Sequence, residues 1–422
     1  MLGVVHVAPG TFFAVIAASA VAATIATVAG GRGLVVPVVV IELLLGIVLG
    51  PYVLGLHINQ FIQFFADLGL GLLFFFAGYE IDMQRIMGLP LRLGLIGWLL
   101  SLALAYTIGG VLAASGIVLS LLYTGSALST TAIGTLIPIL SDAGEMRTRF
   151  GTYLLGAGAV GEFGPILLLT LILSTQSTAH NALILVAFVA LAVGVAIFAV
   201  RSSERTLPLF EQTIEASSQL VVRWILVLVF ALALLAYELG LDLLLGGFAA
   251  GIITRQVLKT RELPAFDSKL TAVAFGVFVP FFFVVSGMGI DLHALLASVS
   301  GVLKMLLFFV LFVVVRGTPA LVLYRKVLDT RARLALALMS STQLPLVLAI
   351  TALATSSGHM RPSTAAALVG AAVLSTLVFP FIALRLRGDL PGEEELEPPL
   401  TERRQAGTMP TLPNASAEGA QP

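Results

Sequence analysis

There is no cysteine among the 422 residues, and only 11% of them are charged. The first absence excludes a disulfide-stapled secreted scaffold. The second excludes a soluble globular enzyme, because water-soluble domains carry about 25% charged residues. A surplus of charge of either sign is missing too. The 23 basic residues balance 23 acidic ones, so no polybasic face is available for phosphates and no nucleic-acid partner is expected. The first residues, Met1 to His6, lack the positive segment of a cleavable signal peptide. What the chain does have is hydrophobic side chains, 58% of the total, in runs of 18 or more. Runs of that length match a bilayer core about 30 Å thick. They are about twice as long as a barrel strand of roughly ten residues and show no period of two. The fold class expected is an all-α polytopic membrane protein surrounded by lipid.

Apolar stretches between polar breaks give about thirteen spans: 11–30, 34–56, 61–80, 93–114, 117–140, 150–174, 181–200, 219–237, 239–257, 270–290, 299–324, 333–355 and 363–386. An odd count puts the two termini on opposite sides. With the N-terminus outside, inner loops and tail hold 20 of the 23 basic residues, Arg32, Arg85, Arg147 and Lys259 among them, and outer loops hold only Lys304 and Arg361. That split is the one the positive-inside rule requires of a plasma-membrane protein with a cytoplasmic C-terminus. Residues 1–387 are therefore expected to form one transmembrane domain. The Pro/Glu/Gly/Ala-rich stretch 388–422 cannot bury enough apolar area to fold and reads as a disordered cytoplasmic tail.

Three pairs of segments resemble each other in collinear order. Glu42-Leu-Leu-Leu-Gly46 recurs as Asp242-Leu-Leu-Leu-Gly246, Phe74-Phe-Phe76 with Gly78 and Ile81-Asp82 recurs as Phe281-Phe-Phe283 with Gly287 and Ile290-Asp291, and Ser129-Thr-Thr131 recurs as Ser340-Ser-Thr342. The offsets run from 200 to 211, and each pair lies seven spans apart. Seven is odd, so the two copies cross the membrane in opposite directions. Inverted repeats of this kind build secondary transporters, whose site lies at the midplane where the repeats meet.

The polar clusters fall in the fifth and twelfth spans: Ser129, Thr130 and Thr131 in one, Ser340, Ser341, Thr342 and Gln343 in the other, each followed by a proline (Pro138, Pro345). Proline lacks the N–H that bonds the carbonyl four residues back. Broken backbone at membrane depth is tolerated only where it faces protein or a wet cavity. Two crossing broken helices, with hydroxyls and carbonyls offered to an ion, are expected; hydroxyls bonded back to their own helices are the plainer alternative.

The sixth span carries Gly156-Ala-Gly-Ala-Val-Gly-Glu162-Phe-Gly-Pro165. Glu162 lies about twelve residues from either end, where a charge costs about 2.5–3.5 kcal/mol to insert and marks a functional position. Pro165 frees the Gly161 carbonyl, which would add a neutral oxygen beside the carboxylate as a cation ligand. Gly156, Gly158 and Gly161 match the dinucleotide fingerprint, but no βαβ unit surrounds them. Arg316, midway along the eleventh span, cannot snorkel and needs a partner, for which Glu162 is the carboxylate at similar depth. Glu42 is a second candidate; Asp67, Glu80, Asp82, Glu238 and Asp291 read as solvated acids at span ends.

On these residues the chain resembles the monovalent cation:proton antiporter-2 family, the sodium/hydrogen exchangers that include Kef-type potassium antiporters, over about residues 11–386. The resemblance is carried by Leu-Leu-Phe-Phe-Phe-Ala-Gly-Tyr-Glu-Ile-Asp (72–82), Ala-Leu-Ser-Thr-Thr-Ala-Ile (127–133), Asp-Ala-Gly-Glu (142–145) and Phe-Phe-Phe-Val-Val-Ser-Gly-Met-Gly-Ile-Asp (281–291). It implies a six-helix core with two crossing broken helices, a helical panel that forms a homodimer, Glu162 as the ion-binding acid and Arg316 as the family's basic residue. The chain departs from the family where a polar pair is usual: here the pair is Gly161-Glu162.

The function expected is exchange of Na⁺ or K⁺ for protons by alternating access, with no cofactor and no enzymatic reaction. A buried carboxylate holds a proton or a cation, not both, and Arg316 cannot supply a second proton, so the exchange should be electroneutral, one for one. The cation and proton site is assigned to Glu162 and Gly161 with Ser129, Thr130, Thr131, Ser341, Thr342 and Gln343, and Arg316 is the structural ion-pair partner. The alternatives are a sodium-coupled symporter of a small organic anion with the same fold, which needs a second sodium site, and a cation channel.

Overall fold

The structure, a computed structural model, describes residues 9–31, 37–80, 83–172, 178–213, 219–239, 241, 243–258, 264–290 and 299–388. The 388–422 tail lies outside the described residues from 389 on, as do Asp82, Asp242 and Asp291. All the regular structure in those stretches is helical, joined by short turns. The helices are α1 (Pro9–Gly30), α2 (Val38–Leu49), α3 (Gln60–Glu80), α4 (Leu89–Ala114), α5 (Leu121–Leu128), α6 (Ile133–Asp142), α7 (Arg149–Ile172), α8 (Thr178–Thr213) and α9 (Leu220–Glu238) in the first part. They continue as α10 (Leu243–Leu258), α11 (Pro264–Val273), α12 (Val279–Met288), α13 (Val299–Phe312), α14 (Thr318–Leu323), α15 (Thr330–Ser340), α16 (Pro345–Ser356) and α17 (Pro362–Arg387).

Nine described helical stretches are long and apolar enough to cross a membrane. The shorter apolar helices α2, α5–α6 and α10, together with the 24-residue α7, bring the crossings to the expected thirteen. Two of the thirteen are interrupted by π turns, Ala274–Phe278 and Val313–Gly317. Two more are broken outright, between α5 and α6 and between α15 and α16. Pro345 opens α16 at its first turn, where a missing N–H costs nothing. Pro138 instead lies inside α6, past the break rather than at it.

Packing sorts the helices into two bundles. α1, α2, α3, α9, α10 and α12 lie against one another, with α8 alongside α10; α4–α7 and α13–α17 form the second bundle, in which α4 lies on α7 and α17 on both α13 and α15. Within the first bundle the repeat is reciprocal. The helix that carries Leu-Leu-Leu-Gly in one copy packs against the Phe-rich helix of the other: α2 on α12, and α10 on α3. Both crossings are tight enough to require glycine. A side chain on Gly287 would run into the Leu43 carbonyl, and one on Gly251 would meet the Tyr79 amide at 2.7 Å. Close backbone approach is what small residues provide in membranes, where no hydrophobic force drives helices together.

The predicted sidedness has a geometric consequence: the loop after α6 and the end of α17 should lie on one face. They do, because Arg387 Nε donates to Glu145 Oε1 at 2.8 Å in a buried ion pair. The Thr148 hydroxyl donates to the other oxygen at 2.8 Å.

Gly287→Ala is expected to destabilise the protein by about 1–3 kcal/mol through overpacking against the Leu43 backbone. Gly110→Ala, where an added methyl meets nothing within 4 Å, should not. Thermal unfolding in detergent, followed by size-exclusion recovery, compares the two.

Candidate functional site

At the bilayer centre the two breaks face each other and complete each other's hydrogen bonding. The Ala132 amide donates to the Thr342 carbonyl at 2.8 Å. The Thr131 hydroxyl donates to the Ser340 carbonyl at 2.6 Å, and the Thr130 hydroxyl to Gln343 Oε1 at 2.9 Å. Gln343 Nε2 returns a bond to the Leu128 carbonyl at 3.2 Å, and its backbone amide donates to Ser375 Oγ on α17 at 3.0 Å. Buried polar groups at this depth need partners, and each interrupted helix supplies what the other lacks.

Of the expected ion ligands, Ser129 and Ser341 bond back along their own helices, to the carbonyls of Ser126 (3.0 Å) and Ala337 (2.6 Å). Thr342 does so more weakly, to Leu338 at 3.5 Å. Thr130, Thr131 and Gln343 knit the two breaks together. These six side chains are all buried beside the crossing, but their polar atoms are engaged with protein. The Gly161 carbonyl, expected to stand free as an ion ligand, is also taken: the Thr131 amide donates to it at 3.0 Å. Pro165 does deprive this carbonyl of its helical donor while α7 runs on continuously. The break before α6 leaves amides in want of acceptors, and one of them fills the gap.

Glu162 lies on α7, 2% exposed, with its Oε2 accepting from the Ile133 amide at 3.2 Å. The Gly134 amide also faces the carboxylate. The half-helix α6 therefore begins at this carboxylate, and the first amides and dipole of a helix end favour a negative charge there.

Arg316 occupies the π turn Val313–Gly317, 4% exposed, just before Pro319. The expected ion pair with Glu162 gives way to bonds with neutral oxygens. Nε donates to Thr131 Oγ1 at 2.9 Å and to the Ser340 carbonyl at 3.4 Å, Nη1 to Ser101 Oγ at 3.3 Å, and Nη2 to the Ala157 carbonyl at 3.3 Å. The reason is Gly161. A Cβ at that position would overlap Arg316 Nη2 and lie 2.7 Å from Thr131 Oγ1. The guanidinium thus fills the space in which a side chain at position 161 would begin, and from there it clamps α4, α7 and both breaks. Sequence reasoning missed Ser101, Ser375 and the Ile133 amide. A serine inside an apolar helix carries no local signal, and backbone amides carry none at all. Glu42, the second candidate, is buried on α2 in the first bundle and, among the described residues, accepts from Ser19 at 3.4 Å.

Inverted repeats, two broken helices crossing at mid-membrane and a carboxylate capped by one of them define a multi-pass membrane transporter. Residues 17–385 match the family model described as sodium/hydrogen exchanger, transmembrane, and the chain belongs to that family. It is 27% identical over 266 residues to the probable Na(+)/H(+) antiporter 3 of Methanocaldococcus jannaschii, covering 62% of this chain and 67% of that one. It is 27% identical over 268 residues to the Na(+)/H(+)-K(+) antiporter GerN of Bacillus cereus, covering 60% and 65%. The matched stretch thus spans about two thirds of these relatives' length. The fold is that of the sodium proton antiporter MjNhaP1 from M. jannaschii, with a TM-score of 0.61 at 16% identity over 89% of this chain and 98% of that one.

Thr131→Val removes the acceptor of Arg316 and the donor to Ser340 together, at a cost of about 1.5–3 kcal/mol for a hydrogen bond to a charged group. The variant should unfold at lower temperature in detergent, and Thr131→Ser should restore most of the loss.

Proposed function

We propose that the protein exchanges a monovalent cation, Na⁺ or K⁺, for a proton, and that Glu162 is the group that carries either one. The observation that carries this reading is a mid-membrane carboxylate bonded to backbone amides rather than to a cationic side chain. Such a group must be neutralised by a ligand before the second bundle moves against the first, since an uncompensated charge in low dielectric is costly. A proton or a cation satisfies that requirement equally, and their competition couples the two fluxes. Substrate names of the antiporter relatives agree with it.

The stoichiometry is one for one. Arg316 remains a guanidinium at any working pH, and Gly161 supplies no second acid in the position next to Glu162 on α7. Ser129, Thr130, Thr131, Ser341, Thr342 and Gln343 hold the crossing in shape around Glu162 and are assigned to the site through that role. The finer placement in the antiporter-2 branch with Kef-type exchangers rests on the motifs at 72–82, 127–133, 142–145 and 281–291. The orientation, N-terminus outside and C-terminus in the cytoplasm of a cell-membrane homodimer, rests on the distribution of basic residues and on the family resemblance.

In proteoliposomes that report collapse of a pH gradient on addition of Na⁺ or K⁺, Glu162→Gln is expected to lose exchange to background. Wild-type exchange by that variant would remove Glu162 from the mechanism. Exchange by the unmodified protein should be indifferent to an imposed membrane potential; a rate that rises with potential would overturn the count of one proton per cation.

A further inference from the structure

The sequence places Glu80 at a span end, where a solvated acid is ordinary, but its surroundings are not those of a surface residue. It is the last residue of α3, and its Oε2 is buried with no hydrogen-bond partner among the described residues. Among the described residues, Glu162 on α7 and Arg255 on α10 are near enough to act on it by charge. Ala77, about one helical turn before it, belongs to the same buried apolar cluster as Ile133, Leu136 and Phe248. Ile133 is the residue whose amide bonds Glu162. The end of α3 is thus set beside the half-helix that caps the ion-carrying acid, although the two acids belong to different bundles.

The helix that carries Glu80 packs closely on α10. α3 and α10 cross with Gly78 against the Phe248 carbonyl and Gly251 against the Phe75 carbonyl. The Arg255 guanidinium lies over the Tyr79 ring, 5.7 Å from its centroid. Across the boundary between the bundles, Phe163 beside Glu162 stacks on Phe248 of α10 at 4.4 Å. When the second bundle moves, Glu162 changes its distance from Glu80, while Glu80 and Arg255 keep theirs from each other.

We propose that Glu80 is an affinity-setting carboxylate of the transport site: a charge on the first bundle that tightens the hold of Glu162 on its ligand while the two face each other. The inference rests on the reading of Glu162 as the carrier. Two deprotonated carboxylates repel through a poorly screened medium, and a cation on one relieves that repulsion as well as gaining its own attraction. A proton gains in the same way, so Glu80 raises both affinities together and leaves their ratio nearly unchanged. Movement of Glu162 away from Glu80 loosens the ligand for release on the other side. Of the other helices packed on α3, α12 carries no charged residue within its bounds, α6 carries Asp142 at its far end, and α9 carries Arg223 and Glu238 towards its two ends.

The test is a Na⁺ titration of full-length protein in proteoliposomes across the active pH range. At the alkaline end, where protons no longer compete, Glu80→Gln should raise the half-saturating Na⁺ concentration about fivefold, with a smaller change in maximal rate. Glu80→Asp should stay within about twofold of the unmodified protein. Arg255→Gln should lower the half-saturating concentration, because it removes the positive charge that opposes Glu80. Towards acid pH the effect of Glu80→Gln should shrink, since the competing proton is held less tightly as well. Unchanged half-saturation in Glu80→Gln would overturn the proposal, as would a defect confined to maximal rate at every pH. Where Glu80→Gln does not fold, Arg255→Gln decides: a fall in half-saturation supports the proposal, and no change or a rise overturns it. Glu162→Gln, run alongside, separates the two levels. Its inactivity with a normal Glu80→Gln removes Glu80 alone, whereas its activity removes the carrier itself.

Discussion

Backbone polar groups cannot be left unpaired at the centre of a bilayer, and that constraint governs the middle of this molecule. Two helices stop at mid-membrane, which no isolated span could tolerate. They are tolerated here because the breaks meet. Ala132 donates to Thr342, Thr131 to Ser340, and Thr130 and Gln343 join side chain to side chain. The crossing is a joint made of mutual need, and α4, α7 and α17 are fastened to it through Ser101, the Gly161 carbonyl and Ser375. The half-helix α6 can then end in the membrane and present its first amides to a carboxylate.

That arrangement explains how the site accommodates a glycine at position 161. The guanidinium of Arg316 begins where a Cβ at position 161 would lie, so the two positions are read together. Arg316 is bonded to a hydroxyl and carbonyls from both breaks and from α7. It steadies the frame around the carboxylate, which accepts instead from the Ile133 amide. Structural support and the proposed ion handling thereby fall to two different charged residues that the sequence, by depth alone, would pair.

The thirteen crossings, the inverted repeat and the polar clusters were legible because each is written in runs and offsets: apolar stretches of bilayer length, three collinear segment pairs and hydroxyl residues beside helix breaks. Glu162 was legible because a lone acid amid apolar residues is costly wherever it points. The partners were not. Proline 165 correctly marked the Gly161 carbonyl as lacking its helical donor, yet nothing local to α7 says that the Thr131 amide, thirty residues earlier, arrives to bond it. Glu80 was misjudged for a similar reason. Distance along a helix measures depth, whereas burial is decided by helices such as α6 and α10, which lie far off in the chain. The break in the fifth span falls at 129–132, ahead of Pro138. Hydrogen bonding across the joint, rather than proline, sets where that helix stops.

The reciprocal packing of the first bundle has a bearing on how the protein is made. α2 finds its close-packed neighbour in α12, and α3 finds its own in α10, each contributed by the opposite copy of the repeat. A ribosome that has delivered only the first copy has inserted helices whose glycine notches stand unfilled and a fifth span whose severed backbone has no match. Assembly of the early spans must therefore wait, held in lipid or by an insertion factor, until Ser340 to Gln343 emerge. Each copy of the repeat thus lacks its partner at these junctions until the other has been made.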